Sequence, residues 1–82
     1  MNSKKDFWLI DSNSVGVIRF YNDKEESDKS ISYMFIEEGI IMGIYGEHPP
    51  LMKTRKKIFI EEARLLWQKL LNEGWQKTYP RW

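Results

Sequence analysis

In the last third of the chain, apolar residues recur at the period of a helix, and the pattern stops at a glycine. Residues 60–75 read Ile-Glu-Glu-Ala-Arg-Leu-Leu-Trp-Gln-Lys-Leu-Leu-Asn-Glu-Gly-Trp. With Ala63 at zero on a wheel of about 100° per residue, Leu70, Trp67, Leu66 and Phe59 fall within roughly 60° of it. Ile60 and Leu71 lie at the margins, while Glu62, Gln68, Lys69, Asn72 and Glu73 take the sides and back. One wide apolar stripe therefore needs a partner. Glu61 and Glu62 occupy the first turn, where the helix dipole favours negative charge. Gly74 fits the position just past the end, where glycine enters a left-handed conformation cheaply. No Ser, Thr, Asp or Asn precedes Ile60, so the N-terminal cap is poor. Leu65 lies about 200° from Ala63, on the polar side, and is expected to be exposed.

Such a stripe needs a sheet to cover it, and the earlier residues supply one. Phe7–Asp11 and Val15–Tyr21 are short β-rich runs joined by the polar turn Ser12-Asn-Ser14, which reads as a hairpin. Val17, Arg19 and Tyr21 alternate with Ile18 and Phe20. Gly16 marks a bulge or a close backbone approach. Ile31–Ile36 reads as a third strand and Ile40–Tyr45 as a fourth, with Glu37-Glu-Gly39 as the turn between them. Gly46-Glu-His-Pro-Pro50 is expected to end the fourth strand, since paired prolines do not continue a ladder. The basic run Lys53-Thr-Arg-Lys-Lys57 leads into the helix, and Trp75–Tyr79 alternates as an edge strand closed by Pro80. The charged stretch 22–30 reads as a solvated loop. The predicted fold is α+β: an antiparallel sheet of four to five strands with one C-terminal amphipathic helix across one face.

At 82 residues the chain is a single domain, residues 1–82, with a small core. Four each of Trp, Tyr and Phe give that core more area per residue than aliphatic side chains would. The absence of cysteine excludes disulfides, thiol catalysis and cysteine-held metals. A formal charge of +1 sets up no global field toward nucleic acid or membrane. No apolar run approaches the roughly 20 residues that span a bilayer. Lys4 and Lys5 are not followed by an apolar stretch of signal length, so the expected location is cytoplasmic.

Lys53-Thr54-Arg55, then Ala63, Leu66-Trp67, Leu70, Gly74-Trp75 and Trp82, form a pattern that resembles the domain-of-unknown-function family numbered 1651. Trp8-Leu9-Ile10-Asp11 and Arg19-Phe20 look like that family's N-terminal block. The resemblance implies a shared fold and a source among marine picocyanobacteria, and it brings no catalytic or binding residue. A looser likeness, of shape only, is to the C-terminal part of the WGR nucleic-acid-associated domain, whose Trp-Gly-Arg tripeptide is absent here.

The residues offer little for catalysis. His48 is the single histidine, before two prolines and without a second ligand at useful spacing, and reads as a loop residue. Glu37 and Glu38 would face opposite ways in a strand and form no dyad. No glycine pattern matches a phosphate loop, and no serine has a nucleophile-elbow context. No enzyme activity, cofactor or metal is expected. The expected function is a small interaction module that binds a protein partner through the sheet face or the outer side of the helix, with Leu65 and Trp82 as candidate contacts. The alternative is weak nucleic-acid binding through Lys53, Arg55, Lys56 and Lys57, joined by Lys4, Lys5, Lys77 and Arg81 if the termini fold back beside the run.

Overall fold

The computed structural model describes residues 6–22, 33–43 and 45–79. Its elements are β1 (Asp6–Ile10), β2 (Gly16–Asn22), β3 (Tyr33–Met42), β4 (His48–Phe59), α1 (Ile60–Asn72) and β5 (Gln76–Thr78). The sheet runs in the order β4-β3-β2-β1-β5, and every neighbouring pair is antiparallel. The expected α+β architecture, an antiparallel sheet with one C-terminal helix on one face, is what the chain builds.

The β1–β2 hairpin is closed by Asp11. Its carboxylate accepts hydrogen bonds from the backbone N–H groups of Asn13 (3.0 Å), Val15 (2.9 Å) and Gly16 (3.0 Å). Three donors that the strand ladder cannot reach are satisfied by one side chain, which holds the turn and sets the register Leu9↔Ile18. The approach predicted at Gly16 is to this carboxylate, since a Cβ there would lie 3.1 Å from Asp11 Oδ2.

Three local readings need correction. Glu37-Glu-Gly39 is not a turn but the middle of one strand, residues 33–42. The parity of the aromatic and aliphatic residues runs straight through it, and Glu37 is held by partners on β2. Pro49 and Pro50 do not stop a strand; they begin β4. An edge strand has one row of N–H groups without ladder partners, and the register shift between Ile40 and Met42 leaves both Pro49 and Pro50 outside the paired positions, so both are tolerated. The basic run is likewise strand, the second half of β4, and the chain passes from Phe59 into the helix with no loop.

β4 carries a bulge. Glu38 pairs Thr54 while Gly39 pairs Met52, so Lys53 is the extra residue. Gly39 sits at the tightest point: a Cβ there would lie 2.6 Å from Met52 Sδ and 2.7 Å from the Leu51 carbonyl.

Leu9, Ile18, Phe20, Met34 and Ile36 from the sheet meet Ala63 and Leu70 from the helix in one buried cluster. Ile58, Ile60, Leu66, Trp67, Leu71 and Trp75 pack around it, half-buried. The stripe read from the wheel is thus the face that docks, except for Phe59, which ends β4 and lies on the other side of the sheet, stacked on Tyr33. Trp67 stands edge-on to Phe20 at 5.1 Å and to Phe7 at 6.1 Å, at the margin of the cluster. The helix ends in a Schellman motif: Gly74 N–H donates to the Leu71 carbonyl (3.2 Å) and Trp75 N–H to the Leu70 carbonyl (3.0 Å). Phe59 at the helix start makes no side-chain cap, in line with the poor cap expected.

Candidate functional site

Alternation along each strand divides the sheet into two faces. One carries the core and the helix. The other carries no helix among the described residues. Register places Asp6 and Trp8 of β1, Arg19 and Tyr21 of β2, Tyr33, Phe35 and Glu37 of β3, and Arg55, Lys57 and Phe59 of β4 on this open face. Its other end is aliphatic: Val17 is buried there, in register with Ile10 and Gly39.

The centre of the open face is an ion network. Arg19 donates from Nη2 and Nε to Asp6 Oδ2 at 2.7 and 3.2 Å, and from Nη1 to Glu37 Oε1 at 3.2 Å. Tyr21 donates its hydroxyl to Glu37 Oε2 at 2.9 Å. Burial works against the Arg19 charge, but the hydrogen bond and charge of Asp6, and then those of Glu37, outweigh it and hold the guanidinium above its usual pKa. Burial first, and then Glu37, push the Tyr21 phenol up, against smaller opposing effects of Arg55 and Arg19. The network joins three strands and gives both carboxylates a cation.

Rings and cations interleave around it. The Arg19 guanidinium lies 4.1 Å from the Tyr21 ring centre and 5.7 Å from that of Trp8. Tyr21 lies against Phe35 across β2 and β3, ring centres 5.3 Å apart and planes tilted by 30°. Arg55 lies over Phe35 at 4.2 Å, Lys57 over Tyr33 at 4.9 Å, and Phe59 stacks on Tyr33 at 4.9 Å with 22° between the planes. Every ring named here has a planar or cationic neighbour against it. Tyr21, Tyr33 and Phe35 each have both a ring and a cation against them, while Phe59 stays 48% exposed.

The basic run is divided by this geometry. Arg55 and Lys57 lie on the open face, while Lys56 alternates to the helix side. Lys53, which strict alternation would put on the side of Arg55 and Lys57, sits at the bulge, where the two-residue parity breaks. Lys77 cannot join them, because β5 is the opposite edge of the sheet, four strand spacings or roughly 19 Å away. Lys4, Lys5, Arg81 and Trp82 lie outside the described residues, as does the acidic stretch 23–28. Leu65 is exposed, as expected, at 73%, with Glu61, Glu62, Gln68 and Lys69 as its helix neighbours. His48 opens β4, exposed, with Nε2 3.5 Å from Glu47 Oε2. Among the described residues no three His, Asp or Glu side chains group as a metal site. Asp6, Arg19, Tyr21 and Glu37 did not stand out in the sequence. The signal that marks them is parity: Arg19-x-Tyr21, Tyr33-x-Phe35-x-Glu37 and Arg55-x-Lys57-x-Phe59 each place polar or aromatic residues on one side of a strand.

A second concavity, of about 830 Å³, opens on the helix side between α1 and the β1–β5 edge. Phe7, Phe20, Ala63 and Trp67 line it, and Arg64 and Lys77 stand at its mouth. The chain runs on from its lining at Asp6, Asn22 and Tyr79 into residues outside the described set.

The chain matches the family described as protein of unknown function (DUF1651) over residues 6–82. It belongs to that family. Comparison with curated proteins and with solved structures returns no match. The family match extends the resemblance through residues 22–50, which the sequence pattern did not cover, so the long strand β3 and the first half of β4 fall within it. No described helix of this DUF1651 protein is long and apolar enough to cross a membrane.

Proposed function

We propose that this DUF1651 protein is a non-enzymatic interaction module that takes a protein partner on the open face of its sheet. The observation that carries the reading is the interleaved surface itself. Trp8, Tyr21, Tyr33, Phe35 and Phe59 share a face that carries no helix among the described residues. Aromatic and arginine side chains are the residue types enriched where proteins bind one another. Their mutual stacking holds them in place before a partner arrives, which lowers the ordering cost of binding. Leu65 offers less, because its helix neighbours are polar.

The basic run favours a second reading, nucleic-acid binding, since Arg55 and Lys57 stand beside aromatic rings. Two features weigh against it. Single-strand binders stack bases on ring faces, and here Tyr21, Tyr33 and Phe35 already have a ring and a cation each against them. An exposed edge strand also uses lysine, proline and bulges to discourage pairing with other chains, and β4 has all three. The setting that fits the module is cytoplasmic, with the cyanobacterial source that the family resemblance implies.

Site-specific photo-crosslinking in the source cell tests the proposal. A photoreactive phenylalanine analogue at Phe59, which is 48% exposed, should give protein adducts. The same analogue at Leu65 should give few. Fluorescence anisotropy with labelled single-stranded and duplex oligonucleotides at two salt concentrations should show no steeply salt-dependent binding. Adducts mainly from Leu65, or tight salt-dependent oligonucleotide binding, would overturn the reading.

A further inference from the structure

The open face has a charge pattern that specifies its partner. Asp6 and Glu37 both engage Arg19. Glu37 is also the register partner of Arg55, yet its carboxylate turns to Arg19 and the Tyr21 hydroxyl instead. Arg55 is left lying over Phe35, with no carboxylate within ion-pair range among the described residues. A guanidinium stacked on a ring keeps its N–H edge available, and that edge matches a carboxylate with two parallel hydrogen bonds. Lys53 at the bulge adds a second exposed cation on the same strand. The β4 half of the face therefore combines positive charge with ring edges, while its own acids are committed elsewhere.

From this arrangement we propose that the partner is an acidic protein segment carrying aliphatic or aromatic side chains, whose carboxylate pairs with Arg55. The inference rests on the reading of the open face as the binding surface. A second copy of the chain meeting this face does not fit, because the face's described acids, Asp6 and Glu37, are both already engaged by Arg19 and leave no carboxylate for the second copy's Arg55. A nucleic-acid strand would supply the negative charge, but its bases would find Tyr21, Tyr33 and Phe35 already engaged by a ring and a cation each.

The test is selection of random linear peptides displayed against the whole folded protein, followed by mapping each selected peptide on the backbone amide NMR spectrum. Supporting peptides are enriched in Asp and Glu beside apolar residues and shift the amides of Tyr33, Phe35 and Arg55. They lose about tenfold in affinity with Arg55→Gln, the size expected for a charge-assisted hydrogen-bonded contact. They also weaken when resynthesised with Asn and Gln for Asp and Glu. A melting curve for Arg55→Gln close to the parent's separates this loss from misfolding. Peptides that map to the open face without a preference for acidic residues would overturn the acidic partner and leave the interaction reading standing. Displacement of the peptides by oligothymidylate at lower concentration than by free peptide would overturn it in favour of nucleic acid. Selection that yields no peptide on the open face would overturn both.

Discussion

At Gly74 the backbone takes φ +105°, and a Cβ built there meets nothing within 4 Å. At Gly39 a Cβ would collide with Met52 and the Leu51 carbonyl. The two glycines are needed for different reasons, and substitution separates them. Gly74→Ala should cost about 1 kcal/mol, all of it backbone conformation, and Gly74→Asn less, because asparagine tolerates positive φ better. Gly39→Ala should cost about 1–3 kcal/mol through overpacking, and Gly39→Asn more than alanine. Urea denaturation of the four variants checks the two orderings. Tyr21 makes a prediction in pH. Its folded pKa lies above the ordinary tyrosine value, so the unfolded chain loses the phenolic proton first as pH rises. The stability this phenol contributes is whole below about pH 10 and is lost as pH climbs through the folded value. Between about pH 9 and 11 the midpoint should fall more steeply for the parent than for Tyr21→Phe. Parallel slopes would remove the burial and the Glu37 hydrogen bond as causes.

The helix is the element that completes the core, yet its largest side chain is not at the centre. Ala63 and Leu70 are the buried helix residues, and the small side chain at 63 lets α1 approach the sheet closely. Trp67 lies between that centre and the cleft, edge-on to Phe7 and Phe20. Full burial would make Trp67→Ala cost about 3–5 kcal/mol. A half-buried ring that lines an open cleft should cost about 2–3 kcal/mol, since part of its surface was never taken from water. That loss is still large for a domain of this length, where total stability is on the order of 5–10 kcal/mol. A thermal melt should show a lowered but cooperative transition. A melt within a few degrees of the parent would mean that the helix docks without its tryptophan.

For the whole molecule, the sheet order decides which charges can act together. Replacing Lys53, Arg55 and Lys57 with Gln leaves the core untouched, because all three are exposed. The triple variant should fold, with a transition within about 1 kcal/mol of the parent, as surface substitutions do. It should lose whatever acidic ligand the parent binds. Lys77→Gln, on the far edge, should keep it. Calorimetric titration of a selected acidic peptide into the three proteins checks this. Equal loss from Lys77→Gln would mean that the ligand is not confined to the β4 half of the face.

Local pattern carried the elements whose residues interact mainly with near neighbours. The helix, its stripe and its glycine stop were legible because period, first-turn acids and the C-terminal motif all lie within a few residues of one another. The β1–β2 hairpin was legible for the same reason. The boundary between β3 and β4 was not, since Glu37-Glu-Gly39 and Pro49-Pro50 have the composition of turns. What makes them strand is supplied from elsewhere in the chain: Arg19 and Tyr21 hold Glu37, the β4 backbone passes close over Gly39, and the edge position together with the register shift between Ile40 and Met42 leaves the prolines no ladder bond to break. The basic run could be seen in the sequence as charge, but not as a site. Only the antiparallel register sets Arg55 against Phe35, commits Glu37 to Arg19, sends Lys56 to the other face and leaves Lys77 a sheet's width away. Those are long-range pairings between residues far apart in sequence, and neither period nor propensity within one strand contains them.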